Sequence, residues 1–238
     1  MIASTMLEVK RLNVAYGLAR VLFDLELEVR AGEVAVLLGR NGAGKSTCLK
    51  AIMGLVPPSS GEIRFDGHRI ERLEPYRIAR LGLGYVPEDR RIFSDLTVMQ
   101  NLEVGRQARS GAPARWTLKR VFELFPILGR MQDRQGARMS GGEQQMLAIA
   151  RTLMGNPKAI LLDEPSEGLA PLIAEQLANT VLELKREGLT VLLCEQSLYF
   201  AQRVADRALV IERGHLRHAG TMQNLAADVD IRDRYLSV

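Results

Sequence analysis

Apolar and polar residues alternate from Leu7 to Val14 and again from Val21 to Val29, a period of two that predicts two strands with Tyr16, Gly17 and Leu18 as the loop between them. The run from Val34 to Leu38 is apolar throughout and reads as a buried strand. A helical pattern follows from about Lys45 to Met53 and stops near Gly54, with Pro57, Pro58, Ser59, Ser60 and Gly61 as a turn cluster. Glu62 to Phe65 is a short strand closed by Asp66-Gly67, a pair that favours a tight hairpin. Pro75 suits the first turn of a helix through Leu81, and Gly82 to Val86 forms another strand.

Between about Glu88 and Pro157 the pattern becomes helical, over Val98 to Arg106, Trp116 to Phe125 and Gly142 to Met154, with a Gly-Ala-Pro-Ala turn at 111–114. Ala159 to Asp163 then has the form of a strand buried on both faces, ending in acid. A helix from Leu172 to Arg186, a buried strand from Leu189 to Cys194, a helix from Leu198 to Val204 and strands at Ala208 to Glu212 and Leu216 to Ala219 continue the alternation. The expected fold class is therefore α/β, with residues 1–87 and 158–238 as the core and 88–157 as an inserted helical subdomain. The tail from Asp228 to Val238 reads as a short closing helix without an assigned function.

Composition narrows the function classes. The net charge of +4 comes from 32 basic and 28 acidic residues mixed along the chain, too dispersed to predict a nucleic-acid partner. Cys48 and Cys194 lack metal-site spacing and read as buried thiols of a reducing compartment. Met1 to Glu8 lacks the pattern of a signal peptide, and no apolar run reaches membrane-spanning length, so the expectation is a protein neither exported nor membrane-spanning by its own sequence.

The chemistry concentrates in three segments. Gly39, Arg40, Asn41, Gly42, Ala43, Gly44, Lys45, Ser46 and Thr47 form a P-loop between a buried strand and a helix start. Its glycines let backbone N–H groups turn inward around phosphate oxygens, at the positive end of the next helix. Lys45 can reach the β and γ phosphates of a nucleotide, and the Ser46 hydroxyl can take one place on Mg2+. Asp163 and Glu164 end a core strand, where Asp163 would hold Mg2+ and Glu164 would orient or deprotonate the water attacking the γ phosphorus. Ser140, Gly141 and Gly142 open a helix and offer N–H groups and a hydroxyl to a second phosphate, or serve simply as a cap and turn. Two phosphate sites in one chain are easier to explain if the second serves the nucleotide of a partner.

With a Walker A motif at 39–47, a signature motif at 140–144 and a Walker B motif at 159–164, the chain resembles the ATPase subunits of ATP-binding cassette (ABC) transporters over nearly all of residues 6–225. That resemblance implies a P-loop ATPase core with an antiparallel β subdomain, ATP and Mg2+ as cofactors, and head-to-tail pairing in which Ser140, Gly141 and Gly142 meet the γ phosphate held by the other subunit. It places Tyr16 as the aromatic that stacks on adenine, and Ser166 to Ala170 where the subunits touch. Glu88 occupies the position of a glutamine that senses Mg2+ and attacking water, keeping the oxygen and adding a charge that the metal can offset. Gln196 replaces the usual switch histidine; it can donate to a γ phosphate but cannot become a cation. Arg90, Arg91, Phe93 and Leu96 fall where such subunits receive the permease, the apolar pair for a groove and the arginines for acidic or carbonyl groups.

The Val-Pro-Glu segment, Ser-Glu-Gly-Leu-Ala-Pro after Walker B and Glu-Gln at the switch are similar to the second ATPase of branched-chain amino acid importers, with relatives for urea and short amides. Members of that group are bacterial or archaeal and imply a second ATPase, self or paralogue, two membrane permeases, a periplasmic binding protein and a peripheral place on the cytoplasmic membrane face. A subunit with little hydrolysis of its own is the alternative that Gln196 supports. A small-molecule kinase is disfavoured by the signature motif, and a DNA-repair or translation cassette by the single short cassette.

Overall fold

The computed structural model describes residues 4–107 and 114–231. The turn expected at 111–114 lies, except for Ala114, outside the described residues, as does the tail beyond 231.

In chain order, strands β1 (Thr5–Tyr16), β2 (Ala19–Arg30) and β3 (Val34–Leu38) lead into helix α1 (Lys45–Ile52). Next come β4 (Ser60–Phe65), β5 (His68–Arg69), α2 (Pro75–Leu81) and β6 (Leu83–Val86). Helices α3 (Val98–Gly105), α4 (Leu118–Leu124), α5 (Pro126–Gly129) and α6 (Gly141–Leu153) separate β6 from β7 (Ala159–Asp163). The chain continues through α7 (Pro171–Arg186), β8 (Thr190–Glu195), α8 (Leu198–Val204), β9 (Arg207–Glu212), β10 (His215–Thr221) and α9 (Met222–Ala227).

Two sheets result, an antiparallel one in the order β2-β1-β4-β5 and a mostly parallel one in the order β10-β9-β3-β8-β7-β6. Every residue of β3, β7 and β8 is buried, as runs without a polar face require. Strand alternation then divides the core. Val34, Val36, Leu38, Ile160, Leu162, Val191 and Leu193 face a cluster built with α3, α6, α7 and α8. Ala35, Leu37, Leu161, Leu192 and Cys194 face the opposite cluster, shared with α1 and the antiparallel sheet. Each valine, leucine or isoleucine side chain among these, fully removed from water, contributes about 1.5–3 kcal/mol. The inserted helices thus share one apolar cluster with the parallel sheet.

Some boundaries move. Ser60 and Gly61, expected in a turn, extend β4, because Asn13 of β1 pairs with Ser60 while Gly61 takes a φ of 109° at the irregularity. The two-residue β5 and the short helices α5 and α9 carry too few residues to show a period.

The topology sets the site. In the parallel sheet Leu38 lies opposite Glu195, and Cys194 lies opposite both Leu37 and Asp163. The segments after β3, β7 and β8 therefore leave the sheet side by side, at the carboxyl ends where α/β folds gather their ligands.

Candidate active site

The P-loop turns sharply into α1 through Gly44, at a φ of 109° that an L side chain rarely adopts. No side chain caps this helix and no acidic residue sits in its first turn, so its N–H groups and positive end are left to an anion. Cys48, inside α1, is a buried thiol whose pKa burial pushes up to about 12, so it stays protonated and unreactive. Cys194 is likewise buried and raised.

Lys45 is buried, with its ammonium donating to the carbonyls of Gly39 at 2.9 Å and Arg40 at 3.2 Å. The same nitrogen lies 2.9 Å from Glu164 Oε1. Ser46 Oγ donates to Asp163 Oδ1 at 2.8 Å, and the Tyr85 hydroxyl donates to Asp163 Oδ2 at 3.1 Å. Gln196 Nε2 donates to the other oxygen of Glu164. Lys45, Ser46, Asp163, Glu164 and Gln196, scattered over about 150 positions of sequence, are thereby joined through direct contacts, as strand ends at one edge of a parallel sheet allow.

Glu164 sits at a φ of +46°, strain of about 1–3 kcal/mol that persists where surrounding contacts hold it. Burial works to raise its pKa, but hydrogen bonds with Glu167, Lys45 and Gln196 and the charge of Lys45 outweigh burial and hold it below the ordinary glutamate value. Glu167 pays the opposite way. Its hydrogen bond with Glu164, loss of hydration, and the charges of Glu164 and Glu88 push its pKa up to about 7. Burial also raises Asp163, against the hydrogen bonds from Ser46 and Tyr85 and the charge of Lys50. The Ser46 hydroxyl and the Asp163 carboxylate, 2.8 Å apart at a helix start, are hard oxygen donors that fit Mg2+.

Other expected positions have different surroundings. Tyr16 is half exposed at the β1–β2 hairpin end, open to a flat ligand. Glu88 is exposed on the loop after β6, its charge felt at Glu167. Ser140 is the N-cap of α6: its hydroxyl accepts from the Glu143 N–H at 3.3 Å, and Glu143 returns the bond to the Ser140 N–H at 2.7 Å. The capping reading thus holds, and it leaves Ser140 exposed for further contact. A Cβ on Gly142 would lie 2.6 Å from Ile173 Cγ2, so packing within the chain also demands that glycine, whereas one on Gly141 would lie 2.9 Å from Arg90 Nη1, the mobile end of a side chain that can move aside.

The arginines expected to stand ready for a partner are engaged. Arg90 Nε donates to Gln145 Oε1 at 3.2 Å, and Arg91 pairs with Asp89 at 2.9 Å. Phe93 remains half exposed, with Arg151 over its ring at 5.1 Å. Three residues to which the sequence analysis gave no individual role, Tyr85, Glu167 and Glu195, also belong to this region. Tyr85 lies opposite Leu161 in the β6–β7 pairing and meets Asp163 only through that register, and Glu167 and Glu195 meet their partners only as the loops fold back.

Among the described residues no helix is long and apolar enough to cross a membrane. The sequence profile of the ABC transporter family matches residues 22–167. The chain is similar to the high-affinity branched-chain amino acid transport ATP-binding protein BraG of Pseudomonas aeruginosa, at 43% identity over 97% of this chain and 99% of the relative. It is also similar to the lipopolysaccharide export system ATP-binding protein LptB of Escherichia coli K12, at 36% identity over 97% and 96%. Among solved structures, the dimeric structure of a bacterial ABC transporter cassette superimposes with a TM-score of 0.80 at 26% identity, over 91% of this chain and 99% of that one. With P-loop, acidic strand end and capped glycine helix on one such scaffold, the chain belongs to the ABC transporter family, as an ATP-binding subunit that hydrolyses ATP.

Proposed function

We propose that this subunit powers import of branched-chain amino acids through separate membrane permeases, working on the cytoplasmic face of a bacterial or archaeal membrane. The observation that carries this reading is the 43% identity with BraG along essentially the whole of both chains. The Glu-Gln pair at 195–196 and the Ser-Glu-Gly-Leu-Ala-Pro segment agree with it.

In this reading the P-loop N–H groups and Lys45 hold the triphosphate, and Tyr16 stacks on adenine. Ser46 and Asp163 would hold Mg2+, with Glu88 beside it; the metal would supply charge neutralisation for the phosphates. Lys45 gives up its ion pair with Glu164 as phosphate oxygens compete for the ammonium, freeing the carboxylate to orient and deprotonate water while Gln196 steadies its far oxygen. Ser140, Gly141 and Gly142 complete the site of a second ATPase, self or paralogue, across a head-to-tail dimer. Permease docking falls to the hollow of about 350 Å³ lined by Leu55, Phe93, Val104 and Arg151, whose half-exposed apolar side chains suit an apolar helix end. A periplasmic binding protein would deliver the solute.

The 36% identity with LptB supports a second reading, in which the same motor drives lipopolysaccharide export. Relatives for urea or short amides are a third cargo class. The test is to purify the chain with its co-purifying membrane subunits and measure ATP turnover in vesicles. Stimulation by leucine, isoleucine or valine with the cognate binding protein is expected; stimulation only by urea or amides, or co-purification of lipopolysaccharide-export subunits, overturns the proposed cargo.

A further inference from the structure

Glu195 ends β8 with its side chain 2% exposed, one residue before Gln196. Its carboxylate is not solvated but converged upon. Oε1 accepts from the backbone N–H of Ser166 at 3.0 Å, and Oε2 accepts from the N–H groups of Gln196 at 3.2 Å and Ser197 at 3.4 Å. Ser166 lies two residues after Glu164, in a different loop. A closed ring follows: Glu164 runs through Pro165 to Ser166, Ser166 binds Glu195, Glu195 holds Gln196, and the Gln196 amide returns to Glu164.

Residue type matters to this ring. Three N–H donors from two loops need a group that only accepts and has two oxygens, which describes an ionised carboxylate; a glutamine offers one oxygen and turns two donors on the other loop. Burying a carboxylate opposes ionisation, and burial does raise the Glu195 pKa, with a hydrogen bond from the Ser166 side chain and the three backbone N–H bonds working against the rise. A protein keeps such a group where the contacts it organises matter. Glu195 is further fixed from below, since it lies opposite Leu38, the residue that precedes the P-loop.

We infer that Glu195 is a positioning residue for ATP hydrolysis: its carboxylate ties the loop that follows Glu164 to the loop that carries Gln196, holding the Gln196 amide on the Glu164 carboxylate. It touches neither substrate nor metal ligand in this role. The inference rests on the assignment of Glu164 as base and Gln196 as its partner. Movement of the Ser166–Gly168 loop is then passed directly to Gln196, because one carboxylate grips both.

The test measures kcat, KM for ATP and calorimetric ATP affinity for the full-length chain and its variants Glu195→Gln, Gln196→Ala, the double variant and Glu164→Gln. Glu195→Gln is expected to lower kcat about tenfold or more with ATP affinity within about twofold, because misplacement of a reacting group costs rate rather than ground-state binding. In the Gln196→Ala background the same substitution should cost little further, since its effect runs through Gln196. Amide hydrogen exchange should accelerate at both Ser166 and Gln196–Ser197. Wild-type kcat in Glu195→Gln, losses that multiply in the double variant, or unchanged exchange at Ser166 overturns the inference. Should Glu195→Gln fail to fold, Glu195→Asp retains the charge and shortens the reach, and wild-type kcat there overturns it equally. Full turnover in Glu164→Gln instead overturns the base assignment beneath it, so the two failures are distinguishable.

Discussion

At the residue scale the site is a set of charges arranged to oppose one another. Glu164 and Glu167 share a hydrogen bond, one pKa held below the ordinary glutamate value and the other pushed up to about 7. The pair behaves as two carboxyls with one proton between them. A raised native pKa means that between the ordinary glutamate value and about 7 the folded protein keeps a proton that the unfolded chain has released. Stability contributed by Glu167 is therefore present at low pH and is lost as pH rises through that window. Glu164, depressed by its partners, acts with the opposite sign, its contribution being lost as pH falls through its own native value. Urea denaturation of the nucleotide-free protein at a series of pH values should show that Glu167→Gln removes part of the decline in stability from about pH 5 to 7 seen in the parent chain. Identical pH slopes in the two proteins mean that the carboxyls do not share a proton.

The P-loop and acidic strand end were legible because their residues are contiguous: Gly39 to Thr47 and Asp163-Glu164 announce their chemistry in single runs. Tyr85, Glu167 and Glu195 were not, because each acts through a partner brought near only by sheet register or loop return, as Glu195 is brought to Ser166. Arg90 shows what a sequence reading leaves out. Its sequence neighbours suggested a partner-facing cation, while the fold turns it onto Gln145.

At the element scale, legibility followed length and punctuation. The strand at Ala159 to Asp163 and the helices at Pro75 to Leu81 and Leu198 to Val204 were legible to the residue, each bounded by proline, a capping serine or a change from apolar to acidic. The start of β4 was misread because a serine-glycine pair reads as a turn until a neighbouring strand supplies its hydrogen bonds. Helix α6 illustrates an element doing two jobs. Its opening glycines offer N–H groups outward, and Gly142 also lets Ile173 of α7 approach to a distance no side chain would permit. Gly142→Ala should therefore cost about 1–3 kcal/mol by overpacking against Ile173. In an Ile173→Ala background, where the clashing Cγ2 is gone, most of that cost should vanish in chemical denaturation. Equal costs in both backgrounds place the penalty in the α6 backbone and not in the α6–α7 contact.

At the scale of the whole molecule, the parallel sheet divides the labour: one face packs on the helices that carry Ser140 to Gly142, the other on the antiparallel sheet whose hairpin carries Tyr16. The sheet's carboxyl edge holds Lys45, Asp163, Glu164 and Gln196 between them. A chain so built exposes a phosphate cradle at one place and a capped glycine helix at another, and a head-to-tail pair would use both. Glu164→Gln separates binding from turnover in that assembly. The amide keeps the volume of the side chain and the P-loop untouched, but it cannot accept a proton from water. ATP affinity should stay within about threefold, and steady-state hydrolysis should fall by about two orders of magnitude or more. With hydrolysis blocked, bound nucleotide should accumulate in the closed pair, so light scattering with Mg·ATP should report about twice the monomer mass where ADP does not. A variant that hydrolyses at the parent rate removes Glu164 from the reaction. One that binds ATP, fails to turn over and yet stays monomeric, alone or with any co-purifying second ATPase, removes the pair and leaves the P-loop intact.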